Sequence, residues 1–133
     1  MNNPTLPLTN DTKIDAIHQE EYELLIKLLS IIDDGSDDEI TLAYEQFITH
    51  MQMHFEHEQE LMKNRGYMMA NVHEGEHYKV INEARYNLMN WRNFKDRWDL
   101  KEYFGEDFVA WLNQHIEAMD KPMVDFFKSE GVL

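Results

Sequence analysis

Five histidines and two carboxylates recur along this chain at spacings that a helix converts into chelating pairs. They are His18, then His54 with Glu58, then His73 with His77, then His115 with Asp120. Residues four apart lie on nearly the same face of an α-helix. His54/Glu58 and His73/His77 are therefore each a two-toothed clamp. Imidazole and carboxylate together suit iron, zinc or manganese. Seven ligands are too many for one tetrahedral zinc and match two metals that share bridging carboxylates. His115 and Asp120 are five apart, about 140° round an ideal helix, so both serve one site only if Asp120 reaches sideways as a bridge. Pro122 cannot donate to the carbonyl of Ala118 and clashes with it, which predicts a kink or π-type bulge there.

These side chains need helices to carry them, and the apolar periodicity supplies four. Ile14, Ile17, Leu24, Leu25, Leu28, Leu29 and Ile32 recur at helical spacing in the first segment, which Asp33-Asp34-Gly35 ends. Ser36 followed by Glu39 forms a capping box for the second. That segment runs through Tyr44, Phe47, Met51, Phe55 and Leu61 to Lys63-Asn64-Arg65-Gly66, a C-terminal stop. Asn71 with Glu74 is the expected cap of the third, which continues through Val80, Ala84, Leu88 and Trp91. A charged, aromatic stretch from Asn93 to Trp98 follows. Asp99 with Glu102 is the expected cap of the fourth, or Gly105 marks a later start; this helix carries Phe108, Trp111, Leu112, Ile116 and Met119. The methionines and Trp91, Trp98 and Trp111 are expected mostly in the core.

Four helices with short connections predict an all-α, up-down-up-down antiparallel four-helix bundle. The ligand positions agree with it. His18 lies 17 residues before Gly35 and His54 lies 19 after it. His77 lies 19 before Asp96 and His115 lies 19 after it. At about 1.5 Å per residue, antiparallel neighbours bring these side chains to one height, so a dimetal site is expected in one layer of the bundle core. A lone helical histidine is ordinarily a surface or satisfied core group. Five in one layer would leave many ring nitrogens without partners unless a metal took them.

Two other chemistries explain less. The stretch HEGEH at 73–77 matches the zinc-protease pattern H-E-x-x-H, with Glu74 as base. That reading uses two histidines, ignores three and lacks the strands of a protease sheet. A ferritin-like centre needs paired Glu-x-x-His motifs, and only Glu74/His77 fits. His50 is one turn before His54 and His57 reads as a rim residue; neither is expected to bind metal.

Composition narrows the partners. The chain has 133 residues, with 26 acidic against 12 basic and a formal charge of -14. That balance argues against nucleic acid and anionic membranes. No cysteine is present, which excludes disulfides and thiolate-held clusters. The start MNNPTLPL has neither a basic n-region nor an apolar h-region, and no apolar run approaches membrane-spanning length. The expectation is a soluble, cytoplasmic protein.

The motifs together resemble the hemerythrin family, specifically its small single-domain bacterial members. The resemblance rests on IDAIH at 14–18, HFEHEQELM at 54–62, GY at 66–67, the H-x-x-x-H of 73–77 and WLNQHIEAMD at 111–120. It covers nearly the whole chain and implies one hemerythrin-like domain over 1–133, with residues 1–11 as an N-terminal arm. It also implies two iron ions in a non-haem, oxo- or hydroxo-bridged centre that binds O2 reversibly, for storage, delivery or sensing, rather than an enzyme. By that resemblance His73, His77 and His115 hold the coordinatively full iron. His18 and His54 hold the iron with the open position, and Glu58 and Asp120 bridge the two. Phe55, Trp111, Leu112 and Ile116 fall where the family lines its O2 pocket, whose apolar walls exclude water and protons. The runner-up is a di-iron enzyme reducing peroxide or nitric oxide. No protein partner is identified.

Three positions depart from the family pattern. A bulky aliphatic residue usually stands three after the first histidine, where this chain has Glu21. Turned inward, Glu21 would be a proton donor or an extra ligand; turned outward, it would be solvated. His50 stands where many relatives carry tyrosine, and the usual N-terminal tryptophan is replaced by Leu6 and Leu8 nearby.

Overall fold

A computed structural model describes residues 6–133 of the chain. The expected N-terminal arm over 1–11 therefore lies partly outside the described residues. α1 (Thr12–Ile31) starts where Asp11 accepts a hydrogen bond from the Ile14 amide at 3.0 Å. That is a standard use of a short acidic side chain on an orphan helix donor. Thr9 donates from both its amide and its hydroxyl to Asp15, at 2.9 and 2.8 Å, which ties residues before the helix to its first turn. Leu6 is buried in the main core and Leu8 is exposed.

The first connection is tight for a steric reason. A Cβ on Gly35 would sit 2.7 Å from the Ile31 carbonyl oxygen, so no side chain fits there. Arg97 then fastens it, donating to the carbonyls of Ile32 at 2.7 Å and Gly35 at 2.8 Å and to Asp37 at 2.9 Å. α2 (Asp37–Met62) opens with the expected capping box, Ser36 and Glu39 each bonding the other's backbone amide at 3.1 Å. Asn64 and Gly66 adopt positive φ values of 58° and 70° just beyond its end, which reverses the chain.

α3 (Ala70–Phe94) begins before the expected Asn71/Glu74 cap. Met69 occupies the N-cap without a side-chain bond, and the backbone closes the first turn unaided, with the His73 amide on the Met69 carbonyl at 2.9 Å. Asn71 is thus already inside the helix and exposed. Lys95 ends α3 in the left-handed region at φ 53°.

The fourth helix also starts earlier than expected. Asp96, not Asp99 or Gly105, is its cap, accepting from the amides of Trp98 and Asp99 at 3.0 and 3.2 Å. It then runs without a break as α4 (Arg97–Glu102), a π segment (Tyr103–Asp107), α5 (Phe108–His115), a second π segment (Ile116–Asp120) and α6 (Lys121–Ser129). Gly105 lies inside the first π segment.

The result is an all-α, up-down-up-down antiparallel four-helix bundle, with no strand among the described residues. Its larger core is rich in aromatic side chains. Phe104 meets Tyr44 and Phe47 edge-on with centroids 4.8 and 5.4 Å apart, and Phe47 meets Phe108 at 5.0 Å. Edge-to-face pairs at such distances contribute about 0.5–1.5 kcal/mol each beyond their buried area. Tyr44 spends its hydroxyl on the Ala84 carbonyl at 2.6 Å, joining α2 to α3. A smaller cluster of Ile14, Met62, Met123, Val124 and Phe127 closes the other end. Ile14 is one turn from His18, Met62 one turn from Glu58 and Met123 three residues from Asp120. The chelating residues therefore form a polar layer between the two apolar clusters.

Not every large side chain goes where expected. Trp91 is buried, but Trp98 is 67% exposed on the first turn of α4. Met51, Met62 and Met123 are core residues, whereas Met53, Met68, Met69 and Met89 are exposed. Residue type alone does not report which side of a helix faces water.

Candidate metal centre

The chelating histidines and Glu58 sit on helix flanks that face the bundle interior, and Asp120 is added by a local change of helix geometry. His18 comes from α1, His54 and Glu58 from α2, His73 and His77 from α3, His115 from the end of α5 and Asp120 from the second π segment. All seven are buried.

They form two groups that share two members. His73, His77 and His115 meet Glu58 and Asp120 in one; His18 and His54 meet the same two carboxylates in the other. Within each group the donor atoms lie within 4.8 Å of one another. The carboxylates divide their oxygens between the groups. Glu58 Oε2 faces His54 Nε2 at 2.6 Å and His18 Nε2 at 3.6 Å, while Oε1 faces His73 Nε2 at 3.1 Å and His77 Nε2 at 3.2 Å. Asp120 Oδ2 faces His18 Nε2 at 2.9 Å, while Oδ1 faces the Nε2 atoms of His73 and His115 at 2.9 and 3.2 Å.

The second π segment is what brings Asp120 into this arrangement. The Lys121 amide bonds to the Ile116 carbonyl, five residues back. A turn closed at five residues rather than four brings residue 120 round toward the face of residue 115. Ala118 lies within it and Pro122 just beyond, so the bulge predicted from the missing proline donor is present.

Electrostatics shows how strongly this layer holds charge. Burial opposes protonation of His18 and His73, yet the adjacent Asp120 and Glu58 carboxylates outweigh it and raise both to about 9. Burial likewise opposes a charge on His54, and Glu21 with Glu58 raises it well above the usual imidazole value. Burial would push the Glu58 and Asp120 carboxyls up; the surrounding imidazoles instead hold both well below the carboxylate range. His77 goes the other way, because burial lowers it by more than Glu58 restores.

The fit to a cation is visible in atoms that lack hydrogen bonds. His18 Nε2 and Asp120 Oδ2 lie 2.9 Å apart, yet neither has a properly directed hydrogen bond, nor have Nε2 of His77 and His115 or Oδ1 of Asp120. These buried atoms lie close together without bonding one another. Unsatisfied polar atoms at such density are rare in folded proteins, and nitrogen and oxygen donors converging in this way suit a transition-metal ion.

The flanking residues are distributed unevenly. Phe55 stacks on His77 with centroids 3.9 Å apart and Trp111 stacks on His115 at 4.5 Å. Leu112 and Ile116 are fully buried. Glu21 is turned inward and is completely buried. It does not join either chelating group; its Oε1 faces His54 Nδ1 at 3.0 Å and His50 Nδ1 at 3.4 Å. Burial alone would raise its carboxyl, but the charge on His54 and the bonds from both histidines lower it to about 2. His50 is buried and His57 sits at the rim.

Two partners were not singled out in the sequence. Glu76 Oε1 lies 3.0 Å from His115 Nδ1, and Gln59 approaches His77 Nδ1 at 3.4 Å. Glu76 immediately precedes a chelating histidine, a place where a supporting carboxylate could have been sought.

A family model described as the hemerythrin HHE cation binding domain matches residues 9–127. A protein named bacteriohemerythrin from Aquifex aeolicus is 23% identical over 107 residues, covering 80% of this chain and 82% of that protein. Another bacteriohemerythrin, from Ralstonia nicotianae, is 24% identical over 117 residues, covering 88% and 84%. No solved structure gives a significant match.

Proposed function

The chain belongs to the hemerythrin family of HHE cation-binding domains, and from that premise we propose that it binds O2 reversibly at two iron ions. His73, His77 and His115 would hold one iron and His18 and His54 the other, with Glu58 and Asp120 available to both. The observation that carries this reading is the division of each carboxylate, one oxygen toward each histidine group. When bound, the irons would supply the electrons that O2 takes up and would recover them on its release.

The chain's own residues prepare that exchange. Three histidines against two leave the His18/His54 side with fewer protein donors, so that side is where a small ligand has room. Leu112, Ile116 and Phe55 are fully or nearly fully buried apolar neighbours of the layer, and they keep out the water and protons that would drain a reduced centre. Phe55 and Trp111, stacked on His77 and His115, hold those rings in the planes from which Nε2 reaches the cluster. The name bacteriohemerythrin carried by two relatives supports the same reading. No helix is long and apolar enough to cross a membrane among the described residues, and a small diffusible ligand requires no such anchor.

The test is the visible spectrum of the iron-loaded, reduced protein cycled between air and argon. A charge-transfer band that appears with O2 and disappears on its removal is expected. Immediate conversion to a ferric spectrum that argon does not reverse overturns reversible binding.

One observation favours a second reading, reduction of peroxide or nitric oxide. Glu21 adds a third buried carboxylate beside the layer, and negative charge there favours the oxidised, more positive metals. Consumption of peroxide or nitric oxide by the reduced protein at many equivalents per chain, with a reductant present, would select it.

A further inference from the structure

Each chelating histidine turns one ring nitrogen toward the cluster and the other away, and what stands behind that second nitrogen differs. Behind His115 is Glu76, which is 37% exposed. Behind His77 is the neutral amide of Gln59, at 3.4 Å. Nδ1 of His18 and of His73 has no hydrogen-bond partner. Behind His54 alone stands a wholly buried carboxylate, Glu21, at 3.0 Å.

Its surroundings make Glu21 hard to explain as filler. A carboxylate removed from water is costly unless it is paired and bonded. Oε1 has two imidazole partners, His54 and His50, one turn apart on α2. Oε2 is buried with none. The neighbouring positions on α1, Tyr22 and Leu25, pack into the apolar core. An apolar side chain at position 21 would satisfy packing without any of this cost. What the carboxylate adds is a fixed acceptor on the far side of the His54 ring.

We propose that Glu21 is a positioning residue for His54, raising the affinity of the His18/His54/Glu58/Asp120 position for a divalent cation. The mechanism is tautomeric and electrostatic. By accepting the Nδ1 hydrogen, Glu21 fixes that hydrogen on the nitrogen facing away from the cluster, so that Nε2, which bonds Glu58 Oε2 at 2.6 Å in the metal-free chain, is the nitrogen left to exchange its hydrogen for a cation. A carboxylate on the back nitrogen also makes the ring a better donor. The support goes to the group with two histidines, which has fewer donors than its neighbour with three. His50 steadies Glu21 from the side away from the cluster. The inference rests on the reading of this layer as a two-metal centre.

Titration of the metal-free full chain with Co2+, followed by ligand-field absorption and by heat, separates the possibilities. The wild-type chain should take up two ions. Glu21→Leu should weaken one position about 10–100-fold and leave the other within about threefold, the range expected for loss of a carboxylate behind a ligating histidine. Glu21→Gln keeps the shape and an acceptor oxygen without the charge, so its loss should fall between; it also serves if the leucine variant does not fold. In the Co2+-loaded wild type, the His54 Nδ1 proton should give a slowly exchanging, paramagnetically shifted NMR signal, which Glu21→Leu should lose. Equal weakening of both positions, unchanged affinities, or an unchanged exchange rate would overturn the assignment of Glu21. A wild-type chain that takes up no Co2+ would overturn the two-metal reading itself, and this inference with it.

Discussion

At the scale of single residues, the layer is a balance of imidazoles against carboxylates, and protons fill it when metal does not. His18 and His73 are raised to about 9 because Asp120 and Glu58 stabilise their charged forms against the cost of burial. A folded-state value above the unfolded one means stability that is full below the unfolded value of 6.5 and lost as pH rises through the folded value of about 9. The melting temperature of the metal-free protein should therefore fall between those two pH values. A flat or rising profile measured by circular dichroism would show that these histidines are not charged in the folded chain. The same protons must leave when a cation enters, so the residues that make the empty layer tolerable are also those that compete with metal. Glu21 belongs to this scale too, because its effect passes through one hydrogen bond to one ring nitrogen.

At the scale of elements, the informative one is the interrupted fourth helix. An unbroken α-helix would leave Asp120 about 140° away from His115. The π segment Ile116–Asp120 removes that offset by bonding across five residues. The substitution Pro122→Ala should return the amide that can bond the Ala118 carbonyl, allow four-residue bonding through this stretch with all residues kept, and swing Asp120 off the cluster. The expected result is near-normal helical content by circular dichroism with the iron-to-protein ratio reduced by at least about half, as π-bulges commonly serve functional sites rather than stability. Retention of full iron content after the substitution would show that Asp120 is not placed by the bulge. The other end of the same helix makes a purely structural contribution, with Arg97 clasping the α1–α2 connection through two backbone carbonyls and Asp37.

At the scale of the whole molecule, a polar layer divides two apolar clusters, and each of the four helices supplies at least one chelating residue. Ions bound there would cross-link all four helices at once. Binding to the folded chain alone stabilises it by about 2.7 kcal/mol when free ligand is a hundredfold above its dissociation constant. Iron or Co2+ loading should thus raise the melting temperature by several degrees, and a chelator should reverse the gain. No change on loading would mean that the ions bind elsewhere or not at all. The -14 charge of the chain does not oppose this, since cation entry reduces it.

Much of this was legible in the residues alone, for a definite reason. Helical periodicity acts over a few residues, so the four helices, the Ser36/Glu39 capping box and the alignment of His18, His54, His77 and His115 at one height follow from spacing and a constant rise per residue. The proline-linked bulge followed likewise from one missing amide. Caps that depend on competing backbone closure did not: Asn71/Glu74 lost to a turn begun at Met69, and Asp99 lost to Asp96. The burial of Glu21, the split of each carboxylate between two histidine groups and the partners Glu76 and Gln59 depend on rotamers and on which flank faces a neighbouring helix. Those choices are made by packing between elements distant in sequence, and only the tertiary structure decides them.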